Sequence, residues 1–267
     1  MGETAKKLGT ADHFLEDQMA EVEKKITGKL FFRKRKKEDP PQEKLETWLH
    51  IESEGELKQH FLNELLSFQL KWASSTLQAT SFYDPCVEGN EHLKLLLQRI
   101  PDHYLVLFKP VAILNDVPLQ VEILILGPHE IELITFIDEK KHTIVYPTKE
   151  NYWKIDTVGQ RRSMVSPLVM LKRTETYLRS VLNSYNLNYS YKKIVLGPNH
   201  RIQKGYHPYS TDYIDVNTFE EWLHSKRKLS LPLKHQQLKV AEKLLYHTKT
   251  NAVNRMEWET ALNFNEK

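Results

Sequence analysis

Glu122 is the residue with the most chemical promise here, because it is the single carboxylate in the apolar run Val121 to Leu126. An unpaired charge removed from water is costly, so such a group lies at a rim, is paired, or belongs to a site. A second group of polar types, His200, His207, Asp212 and Asp215, falls within one turn-rich stretch, but its spacing matches no metal motif. It reads as a surface loop. Cys86 has no Cys or His at a telling spacing and reads as a plain thiol. The densest charge lies near the start: Lys24 to Lys37 holds eight Lys or Arg and no acid, with Leu30, Phe31 and Phe32 inside it. Such a patch suits a phosphate backbone, an anionic membrane surface, or simply a solvated basic turn. Arg33, Lys34, Arg35, Lys36 and Lys37 are its core.

The elements that would position Glu122 are two strands. Leu119 to Leu126 and Ile131 to Asp138 are apolar on nearly every residue and are joined by Gly127-Pro128. Strands apolar on both faces belong in the middle of a sheet covered by helices, so Glu122 is expected within a central strand. Before them, Ser53-x-x-Glu56 is a capping box for a helix whose stripe is Leu57, Phe61, Leu65, Phe68 and Trp72, widened by Leu62, Leu66 and Leu70 into a face broad enough for a buried or shared helix. Gly89-Asn90-Glu91 opens a second helix, with Leu93, Leu96, Leu97 and Ile100 on its core side. Short strands are expected at Tyr104 to Phe108, Val111 to Leu114, His142 to Tyr146 and Tyr152 to Ile155. Ser166-Pro167 starts another helix, Lys192 to Leu196 is a strand, Asn217-x-x-Glu220 caps a helix, and Lys234 to Thr248 forms the last one. Helix, strands, helix, strand is a mixed α/β order and not a Rossmann alternation. No Gly-x-Gly-x-x-Gly and no Walker loop is present, which disfavours a nucleotide-binding enzyme.

A chain of 267 residues can bury a sizeable core. The net charge of +3 is too small to imply nucleic acid by itself, so the placement of charge decides. One cysteine excludes an internal disulfide and fits a reducing, cytoplasmic setting. No apolar run approaches the roughly 18 residues of a membrane span. The first residues lack a secretory core, and Lys6 stands where myristoylation needs Ser or Thr. Leu8, Leu15, Met19, Val22 and Ile26 make a narrow stripe suited to self-association or to a protein partner. The expected organisation is a charged arm over 1–42, a helical segment over 43–85, a core over 86–225 and a C-terminal helical segment over 226–267.

The motifs Gly89-Asn90-Glu91, Gln120 to His129 and Ile131 to Asp138, followed by Ser166-Pro167 and Lys193 to Leu196, resemble the nuclease-related domain (NERD). That family has the restriction-endonuclease-like PD-(D/E)xK fold, a mixed sheet flanked by helices. The resemblance implies an acid at the helix start, matched by Glu91, and a strand acid, matched by Glu122. It implies Glu-x-Lys on the next strand, but Thr135 and Ile137 stand there, and Met170 stands where a Gln is common. In such a site the carboxylates hold a divalent metal and the lysine orients water. Without Glu-x-Lys the implied state is a vestigial site, Glu91, Glu122, Thr135, Ile137 and Met170, with no cofactor and no catalysis. Asp138-x-Lys140 offers acid and lysine three residues later, on the opposite face from Thr135.

Three functions follow as expectations. One is a non-catalytic module binding nucleic acid or protein, helped by the basic segment and by Arg161, Arg162, Lys172 and Arg173 beside the site. Another is an endonuclease with magnesium on Glu91, Glu122 and Asp138. The third is a structural interaction protein.

Overall fold

The structure, a computed structural model, describes residues 53–75, 79–82, 87–114, 116–229 and 231–255. The chain divides into two units, 1–60 and 61–267, and of the first only residues 53–60 are described. The basic segment Lys24 to Lys37, the stripe from Leu8 to Ile26 and Cys86 lie outside the described residues.

In chain order the elements are α1 (Glu54–Ala73), β1 (Ala79–Thr80), α2 (Glu91–Arg99), β2 (Leu105–Leu107), β3 (Val111–Leu114), β4 (Val117–Gln120), β5 (Ile123–Leu126) and β6 (Glu130–Phe136). There follow β7 (Ile144–Tyr146), β8 (Tyr152–Thr157), β9 (Gln160–Val165), α3 (Pro167–Ser184), β10 (Ser190–Leu196), β11 (Arg201–Ile202), β12 (Thr211–Ile214), α4 (Phe219–Lys228), α5 (His235–Tyr246) and β13 (Val253–Asn254). The expected mixed α/β class holds.

Five strands form the central sheet in the order β12-β10-β6-β5-β2. Strand β5 runs antiparallel to both of its neighbours, β2 and β6, and β10 and β12 run parallel to β6. The residues of β5 are all buried, as the unbroken apolar run requires. Alternation then divides β6 between two cores. Ile131, Leu133 and Ile137 pack with Leu171, Leu178 and Val181 of α3, while Ile134 and Phe136 pack with Leu96 of α2 and Trp222 of α4. Each such Leu or Ile contributes roughly 1.5–3 kcal/mol by leaving water.

A second sheet of four strands, β11-β7-β8-β9, covers one side of the first core. Val145, Trp153, Ile155, Met164 and Ile202 face that core. Strand β9 was not expected from the sequence. Its Gln160 to Ser163 are polar because they lie on an open edge with only one covered face. A two-residue turn, Val158-Gly159, joins β8 to β9 with φ of 50° and 76°, and Asp156 accepts from the Gly159 N–H at 3.0 Å.

The helix starts follow their cap chemistry. Ser53 and Glu56 exchange reciprocal bonds of 3.3 and 3.2 Å. Asn90 caps α2 through Leu93 N–H, and Ser166 caps α3 in front of Pro167. Of the wide stripe expected on α1, Leu66 and Leu70 are buried against Leu93, whereas Leu57, Phe61, Phe68 and Trp72 are exposed, which corrects that part of the expected face. Thr218, not Asn217, is the cap position of α4, and Asp215 accepts from the N–H groups of Asn217 and Thr218. The expected boundary at 225/226 falls inside α4, and α5 belongs to the core through Val240, Ala241 and Leu244. No helix among the described residues is long and apolar enough to cross a membrane.

Candidate functional site

The cleft that gathers the residues singled out in the sequence lies beyond the C-terminal ends of β6 and β10. It encloses about 450 Å³ and is lined by Asn90, Glu91, His92, Lys109, Ile137, Asp138, Lys141 and His200, among others. Parallel strand ends next to a helix start are where α/β folds expose polar groups together. Asn90 is spent on capping, and Glu91 follows in the first turn of α2, where its charge acts on the neighbouring His92.

Glu122 does not line this cleft. It precedes β5 instead of lying within it, which corrects the expectation of a carboxylate inside the strand. The reason is local: its N–H donates to Thr174 Oγ1 of α3 at 2.9 Å, and the ladder begins at Ile123. Thr174 passes the bond on to the Met170 carbonyl at 3.0 Å. Ile123 pairs with Ile134, so Glu122 falls opposite Thr135, whose hydroxyl hydrogen-bonds to its carboxylate. Only 8 % exposed, Glu122 has its pKa raised by burial, against the opposing pull of Lys109 and Thr135.

The three carboxylates therefore do not converge. Glu122 and Thr135 lie on the α3 side of the sheet, while Glu91 and Asp138 line a cleft on the α2 side, with Phe136 and His92. Ile137 is in core contact and its N–H bonds to the Leu196 carbonyl at 2.9 Å. Among the described residues no group of three or more His, Cys, Asp or Glu is placed to hold a metal ion. This donor set does not fit magnesium, which needs its carboxylates at one octahedral centre.

Two histidines of the cleft were not marked as site residues by the sequence: His92 stood in no motif, and His200, expected on a surface loop, is instead buried. His92 stacks on Phe136 at 4.0 Å between ring centroids, and burial lowers its pKa although Asp138 and Glu91 oppose the shift. His200 is buried, donates one ring N–H to the Ile137 carbonyl, and leaves Nδ1 unpartnered. Burial lowers its pKa as well. Both rings are thus biased to the neutral form, and the cleft's formal charges are the acids Glu91, Asp138 and Glu139 with the cations Lys109 and Lys141.

The remaining predicted residues scatter. His207 packs edge-on against Tyr213 at 5.0 Å, Asp212 reaches Lys192 at 3.8 Å, and Asp215 organises the turn before α4, so these do not join His200. Arg161 and Arg162 sit on β9, where Arg161 lies 3.9 Å from Asp156 and Arg162 lies 3.4 Å from Glu139. Lys172 and Arg173 are exposed on α3, and Lys172 lines a separate cleft with Lys149 and Lys193.

No family model matches this chain, and no curated protein or solved structure matches it significantly. The resemblance to the nuclease-related domain thus rests on the chain's own sequence motifs alone.

Proposed function

We propose that this chain is a nuclease-related domain whose catalytic position has been converted to packed core, and that it serves as a nucleic-acid-binding module without nuclease chemistry. The observation that carries the reading is the mouth of the β5–β6 pair. The order α2, then antiparallel β2, β5 and β6, then α3, then parallel β10, matches what the resemblance implies, and Glu122 stands opposite Thr135 as a strand acid opposite the Glu of Glu-x-Lys would. There the carboxylate meets a hydroxyl, and Ile137 fills the lysine position at 2 % exposure. Metal-assisted hydrolysis needs converging carboxylates beside a cation, and here Lys109 acts on Glu122 but no second and third carboxylate are placed with it to hold a metal. Binding requires only cations facing phosphates.

The test is salt-dependent binding of the full chain to DNA and RNA oligonucleotides. Neutralising Arg33, Lys34, Arg35, Lys36 and Lys37 is expected to weaken binding, with the slope of log affinity against log salt falling by about 0.7 to 0.9 per lost phosphate contact. Unchanged binding in that variant sinks the role of the segment. Absence of binding by the wild type sinks the nucleic-acid reading. Loss of binding from anionic vesicles instead, sharpened by Phe31→Ser and Phe32→Ser, moves the segment to a membrane surface.

A second reading has one observation behind it. Phe68 and Trp72 are 53 % and 72 % exposed on α1, with ring centroids 5.5 Å apart, and exposed aromatic pairs mark protein contacts. Trp72→Ser is then expected to reduce the oligomeric mass in light scattering, and a wild-type monomer removes self-association.

A further inference from the structure

The four-stranded sheet has one face on the core and one in solvent, and the solvent face is neither polar throughout nor neutral. Register fixes its membership. Tyr146 pairs with Lys154, Lys154 with Ser163, Asp156 with Arg161, Tyr152 with Val165 and Ile144 with Arg201. All of these alternate with the buried Val145, Trp153 and Ile155 and the half-buried Ile202, so they share the outer face. Tyr152 is 61 % exposed and Tyr146 39 %. Lys154, Arg161 and Arg201 are exposed too, and a shallow cavity of about 480 Å³ opens between Tyr146, Lys154, Arg161 and Ser163.

We propose that this face binds single-stranded nucleic acid, with bases stacked on Tyr146 and Tyr152 and phosphates held by Lys154, Arg161 and Arg201. The inference rests on the nucleic-acid reading above and names the surface and strand state. Three observations favour this occupant. The face carries three cations against one acid, Asp156, and that acid already accepts from Gly159 and lies near Arg161. Its tyrosines flank the central lysine: Tyr146 lies across the ladder from Lys154 and Tyr152 two residues along the same strand. Diagonal neighbours on a sheet face stand roughly 7–8 Å apart, within reach of two neighbouring bases of one strand. A duplex keeps its bases stacked on each other and offers these rings nothing, and an acidic peptide has no base face to stack. Sheet platforms with exposed aromatics and a basic surround use this chemistry for unpaired bases.

The experiment measures fluorescence anisotropy of labelled oligo(dT) and oligo(U) with the full chain, against a duplex of equal length and with polyglutamate as competitor. The variants are Tyr146→Ala, Tyr152→Ala and the pair Lys154→Glu with Arg161→Glu, all at exposed positions, with folding checked by thermal melting. Each tyrosine variant is expected to lose roughly 5- to 150-fold in affinity for single strands. The charge-reversed pair is expected to lose more than about 10-fold and to lower the salt slope. Wild-type binding that all variants retain overturns this inference and leaves the nucleic-acid reading standing. Wild-type binding to no oligonucleotide overturns both. Equal affinity for the duplex, competition by polyglutamate, or losses confined to the charge variant also overturn it, since each removes base stacking from the contact.

Discussion

Strand β6 carries buried charge at one end and none at the other, and the two ends differ in their partners and not in their depth. Glu132 is 1 % exposed, Thr135 6 % and Ile137 2 %. At the first end Glu132 meets the Lys226 ammonium from α4 directly, and Lys192 of β10 lies 3.2 Å away and also reaches Glu130 at 2.8 Å. Burial pulls the Lys226 pKa down, with Glu132 opposing it, while the neighbouring carboxylates raise that of Lys192 beyond its own burial penalty. At the second end the acid on the facing chain, Glu122, has a hydroxyl and a partly exposed Lys109. The lesson is that this sheet accepts a buried carboxylate wherever the fold delivers a cation to it. Thr135 and Ile137 are therefore not forced by any intolerance of the strand for charge. They fit a mouth whose acid, Glu122, is met by the Thr135 hydroxyl and by Lys109.

The comparison breaks most violently if charge is put back at the second end. Thr135→Glu with Ile137→Lys places two ionisable groups among side chains arranged for apolar contact, and a loss above about 4 kcal/mol is expected, enough to unfold a marginal domain. Denaturant midpoints check this, with Ile137→Leu as a control expected to lose less than about 1.5 kcal/mol. A stable double variant means that the cleft end also holds a hidden partner for charge.

Removing a cation from the first end comes next. Lys226→Met leaves Glu132 with Lys192 alone and one carboxylate oxygen already unpartnered, so a loss of about 3 kcal/mol is expected. Replacing both, Glu132→Leu with Lys226→Met, should recover most of it, because the desolvation cost of both ions disappears together. If the double variant is as unstable as the single one, packing and not charge dominates that end.

A gentler comparison uses pH. The Glu122 pKa is raised above its ordinary 4.5 by burial, so the folded chain holds that proton more tightly than the unfolded chain. Its contribution is fully present below 4.5 and is lost as pH rises through the raised value. Glu122→Gln removes this dependence, and its urea midpoint should gain on the wild type as pH climbs from below 4.5 towards neutrality. Parallel curves mean the carboxylate is solvated.

The smallest effect is expected at the β8–β9 turn. Val158 holds φ of 50°, a region that a β-branched residue adopts only with strain, and two-residue turns with positive φ favour Asn before Gly. Val158→Asn should stabilise by about 1 kcal/mol, read as a higher melting temperature.

What the sequence disclosed follows from how local each cause is. Strands β5 and β6 were legible because most of their residues, on both faces, are apolar, and α2 and α3 because Asn90, Ser166 and Pro167 act within a turn. Strand β9 was hidden by its polar edge. The outward turn of Phe61, Phe68 and Trp72 was hidden because periodicity gives a stripe without saying what covers it. The same holds for the site. Glu122 was picked out by its apolar company, but its exit from the ladder depends on Thr174, 52 residues away. Glu132 finds Lys226 at a separation of 94 residues, and no spacing in the sequence announces that.

The central claim is binding without cleavage, and one assay bears on it directly. The full chain is incubated with end-labelled single-stranded and duplex DNA in magnesium or manganese, beside the Glu91→Ala, Glu122→Ala double variant, and complex and product are resolved on parallel native and denaturing gels. The expected result is a shifted complex with the single strand and no metal-dependent cleavage above the double variant. Robust cleavage by the wild type that disappears in the double variant contradicts the account.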